Sequence, residues 1–246
     1  MSLDHDEVDR YAKNSRFFKF DPRVKLASAI LFISAVALLK DLTALYLALI
    51  FAIIMVELSG VPMRHIAEVY LLAFPFVLFA FITMLLTSGI ENALAMAMRV
   101  SASVLALLLV ISSTPFFGTL RALRWFKVPP VICNLVLFTY RFIFLLTDEL
   151  SRMRMARRSR GFQGGRSLLD KGAFKTISYT IGMVFVRSNS RATRIYDALL
   201  SRGYTGEIRT IEDLKVGARD IALAAVFISI TVILLAIQMG AFKWTL

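Results

Sequence analysis

Ser159-Arg160-Gly161-Phe162-Gln163-Gly164 and Ser201-Arg202-Gly203-Tyr204-Thr205-Gly206 are two copies of one pattern, Ser-Arg-Gly-aromatic-x-Gly, 42 residues apart. Each has an alanine four residues before its arginine, Ala156 and Ala198. Each follows a stretch with helical periodicity, so each first glycine falls where a helix would end in a left-handed residue just past its cap. The arginine then sits on the last turn, beside the negative end of the helix dipole. One such ending is an ordinary cap. Two of them, framed by apolar segments, read as a paired device: two arginine plugs offered to two equivalent pockets on a partner.

The segments around the two copies are those of an all-α integral membrane protein. Hydrophobic residues make up 58% of the 246, charged residues 19%, and 20 are Phe, beyond the usual range of a soluble domain. Residues 1–23 are a polar tail without an apolar h-region, so no cleavable signal peptide is expected. Asp21 reads as an N-cap with Pro22 at the first helical position. Arg23 and Lys25 are expected at the membrane interface, their stems snorkelling. Residues 24–112 read as a four-span region: Val24–Leu39, Leu42–Leu58, Ile66–Leu86 with a kink at Pro75, and Ala93–Ser112. Lys40-Asp41, Ser59–His65 and Thr87–Asn92 are the connections. Arg99, near a span end, is expected to snorkel.

Residues 113–217 have a different texture. Phe116–Phe126 is short and amphipathic, suited to lie in the interface, and Pro129-Pro130 stops it. Val131–Leu146 is apolar, interrupted by Arg141, and continues without a breaker into a cationic stretch, Asp148–Arg160. Gly161–Gly172 is a glycine-rich loop. In Phe174–Leu200, Ala192, Ile195, Tyr196 and Leu199 repeat at i, i+3, i+4 and i+7, with Arg187, Arg191 and Arg194 on the cationic side. After a polar link, Gly206–Val216, residues 218–240 form a last span, and 241–246 a tail with Trp244.

Charge sets the expected topology. Of 29 Lys and Arg, six lie in residues 10–25, 19 in residues 121–219, and the remaining four are Lys40, Arg64, Arg99 and Lys243. By the positive-inside rule the N-terminus and residues 113–217 are cytoplasmic, with about five spans. Two readings of 131–146 stay open: lying along the membrane, or spanning it in a hairpin with Ile177–Val186, which at ten residues is short for that. The basic residues flank spans without a nucleic-acid-binding motif, so no nucleic-acid partner is expected.

The chemistry is sparse. No Gly-Lys-Ser or Gly-Lys-Thr exists to build a phosphate loop, and nothing resembles a nucleophile elbow. The single cysteine, Cys133, and two histidines offer no metal site; His5, among Asp4, Asp6 and Glu7, reads as part of a solvated tail. Glu57, Glu68 and Arg99 all lie near span ends, whereas an ion pathway usually shows ionisable groups at mid-depth. An enzyme and a self-sufficient carrier are both disfavoured.

Together, Leu3…Asp9-Arg10-Tyr11-Ala12, Asp21-Pro22-Arg23-Val24-Lys25-Leu26, Leu120…Leu123…Val128-Pro129, Thr139-Tyr140-Arg141-Phe142 and the two Arg-Gly motifs resemble the transmembrane (T) component of energy-coupling factor (ECF) transporters, with an N-terminal half like the cobalt/nickel, CbiQ-like type. Both copies carry serine where that family usually has the first residue of Ala-Arg-Gly. The resemblance implies a plasma-membrane scaffold whose long cytoplasmic coupling helices dock on two ATP-binding-cassette (ABC) ATPases, homo- or heterodimeric. Ser159, Arg160, Gly161, Ser201, Arg202 and Gly203 would form the ATPase contacts; Asp21, Pro22, Arg23, Lys25, Pro129 and Arg141 would be structural or interface residues. It implies no directly bound cofactor, ATP being hydrolysed by the partners, and a small substrate-binding (S) membrane subunit, CbiM-like, that takes the ligand. The substrate is left open between cobalt, nickel and a vitamin. A second function class, a membrane-anchored scaffold whose basic helices bind anionic lipid, explains the cations but not the duplicated motif.

Overall fold

The computed structural model describes residues 15–161, 171–206 and 217–239. The expectations for the acidic tail around His5, most of the loop Gly161–Gly172, most of the link Gly206–Val216, and Trp244 lie outside the described residues. Secondary structure among the described residues is helical: a 3-10 turn, Arg16–Lys19, then α1 (Pro22–Leu38), α2 (Leu42–Leu58), α3 (Met63–Ser88), α4 (Ile90–Ser113), α5 (Phe116–Trp125), α6 (Pro130–Ser159), α7 (Lys171–Leu200) and α8 (Ala218–Gln238). The chain is an all-α membrane protein. Its helices divide into two compact units, one within residues 9–127 and 212–246 holding α1–α5 and α8, the other within residues 128–211 holding α6 and α7.

In the first unit, α3, α4 and α8 are long and apolar enough to cross a membrane, as is α6 in the second. The count of candidates is therefore four, reached differently from the five expected spans. α1 and α2 have 17 residues each, about 25 Å at 1.5 Å per residue, just short of a hydrocarbon core of about 30 Å. α6, 30 residues, is one uninterrupted helix through both its apolar and its cationic halves. α3 also runs without interruption through Pro75. The connection expected at Thr87–Asn92 is a single residue, Gly89, whose φ of 85° turns the chain directly from α3 into α4.

Close packing in this unit uses small residues, as helix pairs in lipid do. Ala44, Ala48 and Ala52 of α2, and Ala102 and Ala106 of α4, are buried. Phe32 of α1, Phe51 of α2 and Phe227 of α8 form an aromatic cluster with centroid separations of 5.3–6.1 Å. Tyr70 Oη donates to Ser101 Oγ at 2.8 Å, tying α3 to α4. Large apolar residues of α3 such as Leu72, Phe76 and Phe79 point outward, as on a lipid-facing helix.

The second unit is an antiparallel pair. Glu149 of α6 meets Arg187 and Arg191 of α7, while Asn134, nearer the start of α6, meets Tyr204 and Gly206 just beyond the end of α7. Along α7 the less exposed positions are Thr176, Thr180, Val184, Ser188, Arg191, Ile195 and Leu199. Their spacing of three and four residues marks one stripe. Ile195 and Leu199 fall on the expected inner face; Ala192 and Tyr196 are exposed. The stripe runs along the i+4 row through Arg191, Ile195 and Leu199, so positions i and i+4 of the sequence pattern, Ala192 and Tyr196, fall off it.

Candidate functional site

The two Ser-Arg-Gly stretches end α6 and α7. At the end of α7, Gly203 has φ of 77°. Its N–H donates to Leu200 O at 3.0 Å, and the Tyr204 N–H donates to Leu199 O at 3.0 Å. These are the two crossed bonds of a Schellman ending, with Arg202 at the cap and Gly203 one place beyond. At the end of α6, Gly161 has φ of 82° and its N–H donates to Arg158 O at 3.0 Å, which places Arg160 at the equivalent cap. A Cβ at either glycine would meet nothing within 4 Å. Glycine is needed there for the left-handed backbone, and no close neighbour demands it. Ser159, Arg160, Ser201 and Arg202 are all exposed.

The second copy has a support that sequence reasoning missed. Asn134 is buried, and its Nδ2 donates to the Tyr204 hydroxyl at 3.2 Å and to Gly206 O at 2.7 Å. The aromatic residue and the last glycine of the motif are thereby bonded to the start of α6, where Pro129 occupies the N-cap position. The only sequence signal was an amide inside an apolar run.

Between the supported loop and Glu149 lies a cleft of about 450 Å³, walled by α6 and α7 and including Arg141, Asp148 and Arg202 in its lining. Beyond it, Glu149 accepts a hydrogen bond from Arg187, with Arg152 at 3.5 Å and Arg191 at 4.0 Å. The Arg187 hydrogen bond holds the Glu149 carboxyl below the usual carboxylate range, and the three guanidinium charges act in the same sense. Arg187 and Arg191, expected on a solvated face, thus clamp the helix pair.

In the other unit, the Asp-Pro-Arg-x-Lys stretch forms a buried polar junction. Asp21 caps α1, accepting from the Arg23 N–H at 2.9 Å, with Pro22 next in the first turn. Arg23 itself is half-buried. The expected snorkelling of Lys25 is corrected: it is only 4% exposed. Its Nζ donates to Phe17 O and to Ser113 O, each at 2.9 Å. The carbonyls at a 3-10 turn and at the last residue of α4 take the ammonium that solvent would otherwise hold. Asp220, buried in the first turn of α8, accepts from the Asp21 N–H at 2.7 Å and from the Gly217 N–H at 2.8 Å. It joins the start of the last helix to the start of the first, and it was not foreseen. α5 closes over the junction: a Cβ on Gly118 would come within 3.1 Å of Pro22 Cγ. Arg99 is half-buried and its Nη2 donates to Leu39 O at the end of α1, a C-terminal cap where a snorkelling chain was expected. Among the described residues there is no cluster of three or more His, Cys, Asp or Glu able to hold a metal.

The sequence matches the CbiQ family, "Cobalt transport protein", over residues 13–212. The chain belongs to this family. The family's proteins are membrane components of transporters, and the match takes in Asp21, Lys25 and Ser113 of the buried junction and both Ser-Arg-Gly copies, while Asp220 lies beyond it. A protein of Methanocaldococcus jannaschii carrying the description "uncharacterized" is 26% identical over 94% of this chain and 86% of its own length. The cobalt transport protein CbiQ of Rhodobacter capsulatus is 32% identical over 50% of this chain and 49% of its own. An energy-coupling factor transporter transmembrane protein EcfT of Streptococcus equi subsp. equi is 28% identical over 78% of this chain and 81% of its own.

Proposed function

We propose that this CbiQ family member is the transmembrane coupling component of an ECF-type importer, with α6 and α7 as its coupling helices. Arg160 and Arg202 each enter a pocket on one of two ABC ATPases, and ATP-driven movement passes through the helices to a small substrate-binding membrane subunit. The observation that carries the reading is the repeated helix ending. Two 30-residue helices both finish in an exposed arginine at the cap followed by a left-handed glycine. That arrangement projects a guanidinium clear of the backbone, where a carboxylate in a partly desolvated pocket can take it bidentately. Capping alone asks only for a glycine and does not require arginine twice.

The transported substrate under this proposal is cobalt or nickel, in keeping with the family description. A vitamin is the second reading, kept because relatives described only as energy-coupling factor transmembrane proteins, with no metal in their description, match over about four fifths of the chain. The N-terminus and residues 113–217 are cytoplasmic on this proposal, supported by the 19 Lys and Arg within residues 121–219. The helix pair adds a second support. Alongside the apolar half of α6 runs the part of α7 bearing Arg194 and Arg202, and arginines in mid-bilayer cost roughly 2.5–3.5 kcal/mol each on insertion scales.

Pull-down of the partner ATPases by the detergent-solubilised chain tests the docking. Arg160→Ala and Arg202→Ala should each weaken retention of the ATPases while leaving membrane insertion unchanged. Arg160→Lys and Arg202→Lys should also weaken it, because an ammonium lacks the planar fork. Wild-type retention by both alanine variants would leave the docking role without support.

A further inference from the structure

The cleft between α6 and α7 has one apolar wall and a charged margin. Phe138 and Phe142 of α6 stack with centroids 6.2 Å apart and planes 21° from parallel, giving a flat apolar surface that Leu145, Ile195 and Leu199 extend. Arg141, Arg202 and Asp148 are its charged lining residues, for a formal net charge of +1. At about 450 Å³ it is in the range of small-molecule sites. A soluble anion would satisfy the arginines and leave the aromatic wall wet. An uncharged amphiphile would cover the wall and leave the excess guanidinium uncompensated. The cleft also lies where the apolar half of α6 passes into its cationic half, the kind of amphiphilic border that meets lipid head groups.

We infer that this cleft binds an anionic glycerophospholipid, its phosphodiester drawn by Arg141 and Arg202 and the start of an acyl chain laid on Phe138 and Phe142. One phosphodiester balances the net charge. Asp148 disfavours a second negative charge and accepts hydrogen bonds from head-group hydroxyls, so phosphatidylglycerol fits better than a doubly charged head group. Arg202 takes the phosphodiester only while it is not docked on an ATPase, so the test uses the chain alone and rests on Arg141.

The purified full chain in neutral detergent would be titrated with phosphatidylglycerol or phosphatidylcholine, and bound lipid counted by native mass spectrometry. Phosphatidylglycerol should bind at least about tenfold tighter than phosphatidylcholine. Arg141→Gln should remove that preference, whereas Arg154→Gln, which deletes the same charge from an exposed position outside the cleft, should keep it. Phe142→Ala should weaken both lipids and retain the preference, and it decides the matter if Arg141→Gln elutes as aggregate. Glycerophosphoglycerol, the head group without chains, should not compete at a hundredfold excess. Equal binding of the two lipids, loss of preference in Arg154→Gln equal to that in Arg141→Gln, unchanged lipid binding by Phe142→Ala, or competition by the chain-free head group would overturn the proposal.

Discussion

Replacing Lys25 by Met removes one ammonium and keeps most of the side-chain volume, so its cost isolates the buried junction. Lys25 Nζ makes two hydrogen bonds of 2.9 Å to main-chain carbonyls. Bonds to a charged group are worth about 1.5–3 kcal/mol each. The Asp220 and Asp21 carboxylates lie close enough to attract the ammonium, and both residues are buried. The substitution therefore leaves the Ser113 carbonyl unbonded, leaves the Phe17 carbonyl with the Phe20 N–H alone, and takes a nearby cation from two buried carboxylates, while it recovers the desolvation cost of the ammonium. The two lost bonds set a ceiling of about 3–6 kcal/mol, and the recovered desolvation brings the net cost down to about 3 kcal/mol. At about 2–4 °C per kcal/mol for a chain of this length, thermal unfolding in detergent, followed by loss of the monodisperse size-exclusion peak, should move down by the order of 10 °C. Adding Asp220→Asn should restore part of the loss by removing one uncompensated charge. The recovery stays partial, because Asp220 also accepts from Asp21 and Gly217. A shift below about 2 °C for Lys25→Met would refute the reasoning.

Asn134→Ala should free the Tyr204 hydroxyl and the Gly206 carbonyl, costing about 1–3 kcal/mol locally. Hydrogen exchange at residues 203–206 should speed up while exchange in α1–α5 stays as it was. Glu149→Gln should loosen the α6–α7 pair, read as faster exchange near Arg187. The same contact should hold from neutral pH down to the ordinary carboxylate range and fail only below it: the folded pKa is depressed, so the stabilisation is complete above the unfolded value and lost as pH falls through the folded one. Cysteines placed at 163 and 205 should resist an impermeant maleimide added outside intact cells; labelling of either from outside contradicts the proposed topology.

Much of this architecture was readable because it depends on local rules. Asp21-Pro22 marks a helix start by the donor that Asp supplies and the one that Pro lacks. The two glycines mark helix ends by a backbone region other residues avoid, and the run from Pro130 through Ser159 contains nothing to stop a helix. What stayed hidden depends on tertiary partners. Lys25 looks like any interfacial cation until Phe17 O, Ser113 O and Asp220 converge on it, and Asp220 is 199 residues from the Asp21 N–H it accepts. Asn134 gives no periodic signal. Arg187 and Arg191 follow the rule for a solvated face, and only the facing Glu149 converts them into a clamp. The count of candidate spans differs from five for a length reason: α1 and α2 stop at 17 residues each, and α6 joins an apolar half to a cationic one without a break.

The antiparallel register of α6 and α7 bears on how the two arginines act. Asn134 pairs with Gly206, and Glu149 with Arg187 and Arg191, so Arg202 lies level with about residue 137 of α6. From there to Arg160 is roughly 23 residues, about 35 Å at 1.5 Å per residue. Side chains so far apart cannot enter one pocket, and the helix pair between them holds the separation. If each arginine fills its own pocket, their contributions share no partner and should add in free energy. The fold-loss in ATPase retention for Arg160→Ala with Arg202→Ala should then equal the product of the single losses. Arg157→Ala or Arg158→Ala, on the same last turn of α6 but without a following glycine, should lose far less. A double variant no weaker than the worse single one would mean that only one arginine docks. The duplication would then serve the helix ends alone.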